Sequence, residues 1–573
     1  VVKVWADNDA SSALLGTHSG RLRSESKMSG RRILSSLAAA AWLIVFASLS
    51  ASAGERPESV AAKVDSLLRQ EVPFAKAVPQ KIGDELFLRR ASLDIIGRLP
   101  TPQEVTAFVL DPAADKRAKI VAQLLAHPRY GQNWGRYWRD VIMYRKTEER
   151  NQFLVGIPLD SYLADSFNSN KPWSQIATEF ITATGSANES GACGLIVAQQ
   201  GQPEEIVGEV SRIFLGVQLQ CAQCHDHPTD RWKRQQFHEL AAFFPRVATR
   251  PNRQGGGVAR EISIVTTDFQ PPRFGPRPMN MRAVGTLEHH MSDPKNPSSE
   301  GTLMQPILFA TGDALPTGTK DADRRSSLAT WITKKDNVYF AKAFVNRLWS
   351  ELTGEGFCEP VDDMGPDRTP TAPKTLDFLA EQFAAKNYDI KWLYSTIMAT
   401  ELYQLPSAPR RDASEPPMQH NVAQRLRCDQ VFDNLLLVLE ATEPSPPAGI
   451  PGPAARFIRG PRQQFTTAFG YDPSTRRDEI QSSIPQALNL MNSPTVSGSL
   501  RGTGNTMLAR KLAAISDDAT LIQELYLQVL GREASQSELT TCLQYRNQVE
   551  GRSEAFEDIL WSLINTAEFL HRT

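Results

Sequence analysis

Cys221-Ala-Gln-Cys224-His225 is the stretch of this chain whose residue types and spacing can do chemistry. Two thiols at i and i+3, followed at once by an imidazole, suit attachment of haem c. Each sulfur adds to one vinyl group of the porphyrin, and His225 becomes an axial iron ligand. The same donors suit zinc, with Cys221 and Cys224 joined by two of His225, His227 and His238, or by Cys193. A Cys-x-x-Cys pair can also work as a dithiol or close as a disulfide. His225 and His227 are two residues apart and cannot comfortably take opposite faces of one iron, so His227 reads as a supporting group or a zinc ligand. The distal side is open to His238, Met143, His289, His290 or Met291. A histidine or methionine there would favour electron transfer, and a vacant position ligand binding or peroxide chemistry.

Other candidate motifs fail. Gly312 to Lys320 ends in Gly-Thr-Lys, but the lysine is misplaced for a phosphate-binding loop and no hydroxyl follows it. Asp362-Asp363 lies among prolines and glycines, where paired acids read as a solvated turn rather than a cation site. Arg476, Arg477, Asp478 and Glu479 read as a charged approach to a helix. Linear order discloses no nucleophile–histidine–acid set, and no reaction is assigned.

The whole chain limits the classes. It has 573 residues, 41% hydrophobic and 22% charged, which is ordinary for a globular protein of two to four domains. A formal net charge of -1 argues against broad attraction to nucleic acid. Six cysteines, isolated apart from the motif pair, do not make a disulfide scaffold.

From Met28 the chain reads Ser-Gly-Arg-Arg-Ile, then an apolar stretch to Leu49, then Ala51-Ser52-Ala53. A basic start, an apolar core and an Ala-x-Ala end describe a signal peptide at 28–53, cleaved after Ala53. Residues 1–27 read as a non-native upstream extension. This predicts a periplasmic or secreted protein with no stable membrane span after cleavage. Haem attachment to such a motif takes place outside the bacterial cytoplasm, so the two features agree.

The elements that must carry the motif are mainly helical. Apolar periodicity predicts helices over 60–70, 84–96, 116–126, 159–167 and 173–181. Gly97 closes the second, and Thr101-Pro-Gln-Glu104 opens the next with a capping box. Trp134, Tyr137 and Trp138, at helical spacing, read as core. A small-residue loop with Cys193 spans 185–201. A helix from Glu204 would carry Cys221, Cys224 and His225 on one side if it continued through them. Asp230 reads as the cap of a helix through Phe237 to Phe244. Residues 246–322 read as a connector rich in Pro, Gly and Arg, with one strand over 261–267. Helices resume over 323–333, 339–352, 374–386, 390–400, 425–440, 484–491, 506–514, 520–530, 535–549 and 554–566. The expectation is a mainly α chain: helical domains at 58–245 and 323–573 joined by a Pro/Gly-rich connector with minor β-structure. One internal echo links Leu93-Asp-Ile-Ile-Gly-Arg-Leu-Pro-Thr-Pro-Gln-Glu104 to Leu527-Gln-Val-Leu-Gly-Arg-Glu-Ala-Ser-Gln-Ser-Glu538. It is either recurrent helix–turn–helix grammar or an old duplication.

Arg212-Ile-Phe-Leu-Gly-Val-Gln-Leu-Gln-Cys-Ala-Gln-Cys-His-Asp-His-Pro228, with Asp230-Arg-Trp232 and Leu88 to Thr101, resembles the planctomycete-specific cytochrome-like domain of unknown function. Tyr339 to Trp349, Glu359-Pro-Val-Asp-Asp363 and Pro485 to Asn492 resemble the planctomycete-specific domain that usually follows it. The resemblance implies an exported, largely helical, two-domain protein with haem c bound through Cys221, Cys224 and His225. It also implies a redox role beside an exported catabolic partner, such as a sulfatase-like protein. The rival reading is a zinc-stabilised scaffold of an exported complex.

Overall fold

The helix expected at 84–96 spans Asp84–Ile96 in the computed structural model. It stops at Gly97, whose φ of 69° is a left-handed turn that glycine takes without a Cβ penalty. Thr101 then caps the Pro102–Leu110 helix through a reciprocal capping box with Glu104. The echo near the other end repeats each step. Asp518–Leu530 ends at Gly531 with φ 70°, and Ser535 with Glu538 forms the capping box of Gln536–Gln548. Both copies add a paired arginine. Arg98 donates to Glu104 at 3.0 and 2.8 Å, and Arg532 donates twice to Glu538 at 2.9 Å.

The structure describes residues 56–72, 80–144, 149–252, 261–267, 287–296, 298–309, 311–410, 416–443, 461–480 and 494–573. The signal-peptide segment, the helix expected at 484–491 and the run Pro485 to Asn492 lie outside them. The architecture is mainly α with minor β-structure. No helix among the described residues is long and apolar enough to cross a membrane.

The aromatic stripe is core, as its spacing predicts. On the helix Arg129–Met143, Trp134 meets Tyr394 at 4.9 Å between ring centroids, and Trp138 meets Trp173 at 4.6 Å and Phe344 at 5.7 Å. These contacts bind the N-terminal helices to Val338–Thr353 and Ile390–Ala399, so one hydrophobic core runs from Val60 to Met418. A second core gathers residues from Leu426 to Phe569, together with Leu93 and Leu99. Antiparallel pairing of Gln424–Arg425 with His571–Arg572 draws the last residues onto it.

Several local expectations change. The helix expected at 159–167 reaches back to Glu149 through Pro158, because it packs along Arg129–Met143 and that contact outweighs the missing N–H. The loop expected at 185–201 contains a 3-10 turn, Gly191–Cys193, and the buried helix Gly194–Ala198. Its small residues permit close packing there. The strand Glu261–Thr266 is the centre of a three-stranded antiparallel sheet, flanked by Gly185–Ser186 and Val247–Asn252. Pro251 masked the latter as a strand, and it is tolerated because that strand is an edge. His289–Met291 pairs with Thr302–Met304 in a further antiparallel pair.

Glu538 is held down to about 2 by the hydrogen bonds from Arg532, against the opposing effect of burial. Its stabilisation is therefore complete above the ordinary carboxylate range and fades as pH falls toward 2. Glu538→Gln is expected to lower the unfolding free energy by about 1 kcal/mol at pH 7. Urea denaturation across acid pH checks this: a wild-type-to-variant gap as large near pH 2 as at neutral pH would contradict it.

Candidate functional site

The helix Pro203–Val210 does not carry the motif. It runs into a π-turn over Ser211–Leu215 and stops at Gly216, whose φ is 65°. Ser211 Oγ donates back to the carbonyls of Val207 and Gly208 at 2.8 and 3.1 Å, loosening the regular ladder where the turn widens. The positive φ favours glycine there, and a Cβ would also oblige the Met364 methyl, 2.8 Å away, to shift. Cys221 lies beyond this stop in a separate 3-10 turn, Leu219–Gln223. The expectation of three donors on one continuing helix face is corrected accordingly. The turn nevertheless sorts its side chains: Leu219 and Ala222 are buried, while Cys221, Cys224 and His225 are exposed.

His225 Nδ1 lies 2.7 Å from the carbonyl of Asp226. A carbonyl only accepts, so Nδ1 carries the proton and Nε2 holds the lone pair. His227 Nδ1 accepts the Thr229 N–H at 3.3 Å, while the backbone N–H of His227 donates to the Trp232 carbonyl at 2.9 Å. The next helix begins at Arg234, not after Asp230. Asp226 takes the role expected of Asp230 by accepting the Arg234 N–H at 3.0 Å, and its second oxygen pairs with Lys233. Those contacts, the backbone N–H of Arg234 first, hold its carboxyl below the ordinary range.

A buried histidine pair backs the turn. His238 Nε2 donates to the Gln223 carbonyl at 3.0 Å, which leaves Nδ1 to accept from His289 Nε2 at 2.9 Å. His289 Nδ1 in turn faces Glu204 at 3.9 Å. Burial, then the neighbouring imidazole, pushes each histidine down to about 4; for His289 that neighbour is His290. Both ring nitrogens of His238 are thereby engaged. Among the other residues raised by the sequence, Met143 is buried in the first core. His290 and Met291 lie half-buried on the neighbouring strand. Cys193 is buried with its sulfur 3.6–3.8 Å from the carbonyls of Thr184, Gly185 and Ser186, and burial pushes its thiol up to about 11. Among the described residues, no three His, Cys, Asp or Glu side chains form a group that could hold a metal ion.

Beside Cys221 opens a cleft of about 300 Å³, lined by Gly208, Arg212, Gln218 and Gln220. Gln220 donates to Glu205 at 2.9 Å, and Gln218 donates to Asp362 at 2.8 Å. Behind them Arg212 is 3% exposed; its Nε donates to Glu209 at 3.1 Å and its Nη1 to Asp362 at 3.3 Å. Burial alone would lower the guanidinium's pKa, but Glu209 and Asp362 more than reverse that. Asp362 is completely buried and also accepts from Ser474 at 2.7 Å. It is no solvated turn: three donors compensate its desolvation. Sequence reasoning missed this hub because its partners lie 112 to 150 residues away along the chain. The i, i+3 spacing of Glu209 and Arg212 was the one local signal of it. The donors needed to attach haem fit the structure, as two exposed thiols beside an imidazole with its Nε2 available. The wall next to Cys221 is polar and charge-compensated.

Residues 63–249 match PSCyt2, described as a protein of unknown function (DUF1549), and residues 324–546 match PSD1, a protein of unknown function (DUF1553). Their order is the one the sequence resemblance implies. No curated protein and no solved structure matches the chain.

Both buried histidines are expected to stay neutral well below the ordinary imidazole range. Because the unfolded state takes up protons first as pH falls from the usual value near 6.5 toward 4, the pair costs stability over that window. NMR of labelled histidine checks this. A His238 or His289 signal titrating near pH 6.5 would contradict the arrangement.

Proposed function

We propose that this chain, which joins a PSCyt2 region at 63–249 to a PSD1 region at 324–546, is an exported haem c protein with a redox role, most simply electron transfer, in extracytoplasmic catabolism. The observation that carries the reading is the Cys221–His225 turn. Both thiols are exposed, and the Asp226 carbonyl fixes the His225 tautomer with Nε2 available. Cys221 and Cys224 would form the thioethers, and His225 would be the axial ligand. Bound haem supplies one-electron redox chemistry and the option of binding a small ligand at iron.

The chain's own residues hold the turn and set its surroundings. The Gln223 carbonyl, between the two cysteines, accepts from His238 at 3.0 Å and from Arg234 Nε at 3.3 Å. These bonds hold the loop from beneath and leave its outer face to the donors. At neutral pH the histidine pair adds no charge there, since both imidazoles are neutral. Across the cleft, Arg212 is compensated by carboxylates rather than offered as a bare cation. The signal-peptide reading of residues 28–53 supports a periplasmic or secreted location, where a partner of the sulfatase-like or other catabolic kind would meet it.

The test is maturation in a periplasm equipped for cytochrome c assembly, followed by pyridine-haemochrome and metal analysis. The expected result is one covalently attached haem per chain, with the two-thioether haemochrome spectrum lost in Cys221→Ala. Stoichiometric zinc without a Soret band would overturn the haem reading in favour of a zinc-stabilised scaffold.

A further inference from the structure

The residues just before and just after the motif are both gripped by one short segment from the far side of the sequence. Upstream, the Gly216 carbonyl accepts the Met364 N–H at 2.7 Å, and Gln218 donates its side-chain amide to Asp362 at 2.8 Å. Downstream, Arg231 donates to the Pro366 carbonyl at 2.8 Å and pairs with Asp367 at 2.9 Å. Between these anchors Gly365 lies so close to Asp230 that any Cβ there would collide with the carboxylate. The cysteines and His225 sit inside the span 216–231 that these contacts close. The grip falls within the region matched by PSD1, whereas the motif falls within the region matched by PSCyt2.

We propose that Asp362–Asp367 is the positioning element of the Cys221–His225 turn, so that the PSD1 region completes the attachment site rather than serving only as a docking module. The inference rests on the reading of that turn as the working site, but not on which metal it holds. The two anchors differ in character. Asp362 is completely buried, and losing its charge leaves Arg212 short of one carboxylate and turns the charge-assisted bond from Gln218 into a weaker neutral one. Arg231 and Asp367 are 67% and 45% exposed, so removing that pair leaves the cores intact. Neither anchor touches a donor atom of the motif. Both act through the backbone that presents it.

The experiment uses the full chain prepared without haem and reads amide hydrogen exchange together with alkylation of Cys221 and Cys224 by iodoacetamide. Arg231→Ala and Asp362→Asn are each expected to speed exchange over 216–231 by about tenfold while the Asp518–Leu530 helix keeps its wild-type protection. The ratio of Cys221 to Cys224 alkylation should shift in both variants, and Arg231→Lys should restore much of it by re-forming the pair with Asp367. Unchanged exchange and thiol ratio in Arg231→Ala would overturn the proposal. So would acceleration in Asp362→Asn that extends equally to Asp518–Leu530, since that reports general destabilisation. Because no haem is present, failure of the haem reading leaves these outcomes unaffected.

Discussion

Guanidinium groups withdrawn from water, and held there by carboxylates and backbone carbonyls, set the terms on which this protein folds. Arg212 meets the requirement beside the motif with Glu209, Asp362 and the Val141 carbonyl. Arg324, with no exposed surface, takes Glu288 in a two-bond grip at 2.8 and 2.7 Å and the Ala242 carbonyl at 2.7 Å. That grip has a consequence for the site, because Glu288 precedes His289. By fixing the strand, Arg324 sets His289 against His238 under the motif turn. Breaking one partner out of such a pair typically costs about 3–5 kcal/mol, since a charge is left buried without its counterpart.

The same demand ties the two hydrophobic cores together. Arg572, 1% exposed, pairs with Asp94 and donates to Asn421, joining the chain's last strand to the Asp84–Ile96 helix. Arg427 reaches the Asn133 carbonyl at 2.9 Å from the start of the Cys428–Val438 helix. Around these ions the paired helix ends lie close: a Cβ added at Gly531, the second stop, would come within 3.6–3.7 Å of Pro100 and Arg89. Both copies use the same glycine, capping box and arginine–glutamate pair, and Leu93 and Leu99 of the first lie in the core built by the second.

At the motif these supports meet an exposed turn whose reactive atoms make few bonds of their own. The His238–His289 pair holds it from one side, Asp226 from another, and the Arg212–Asp362 network lines the adjoining cleft. A turn so placed can present two thiols and an imidazole in a set arrangement while leaving their outer faces open. Its backing is polar but compensated, so the turn sits beside no uncancelled buried charge from Arg212.

What the amino-acid order determined by itself was what short-range physics controls. The Gly97 and Gly531 stops, the capping boxes and the aromatic stripe of Arg129–Met143 depend on residues a few positions apart, and each stands as read. The limits of local reading show in the helix projected through Cys221. The apolar pattern from Ile206 to Val217 continued convincingly, yet a π-turn and a left-handed glycine ended the helix first. Tertiary structure alone decided the rest. Asp362 looked like half of an exposed acidic pair until chain segments 112 to 150 residues distant supplied Arg212, Gln218 and Ser474. His238 and His289, 51 positions apart, became one neutral unit only when the strand closed over the helix. Periodicity and capping report the energy of a residue with its near neighbours. Burial of a charge is settled by whatever the folded chain brings to it from afar.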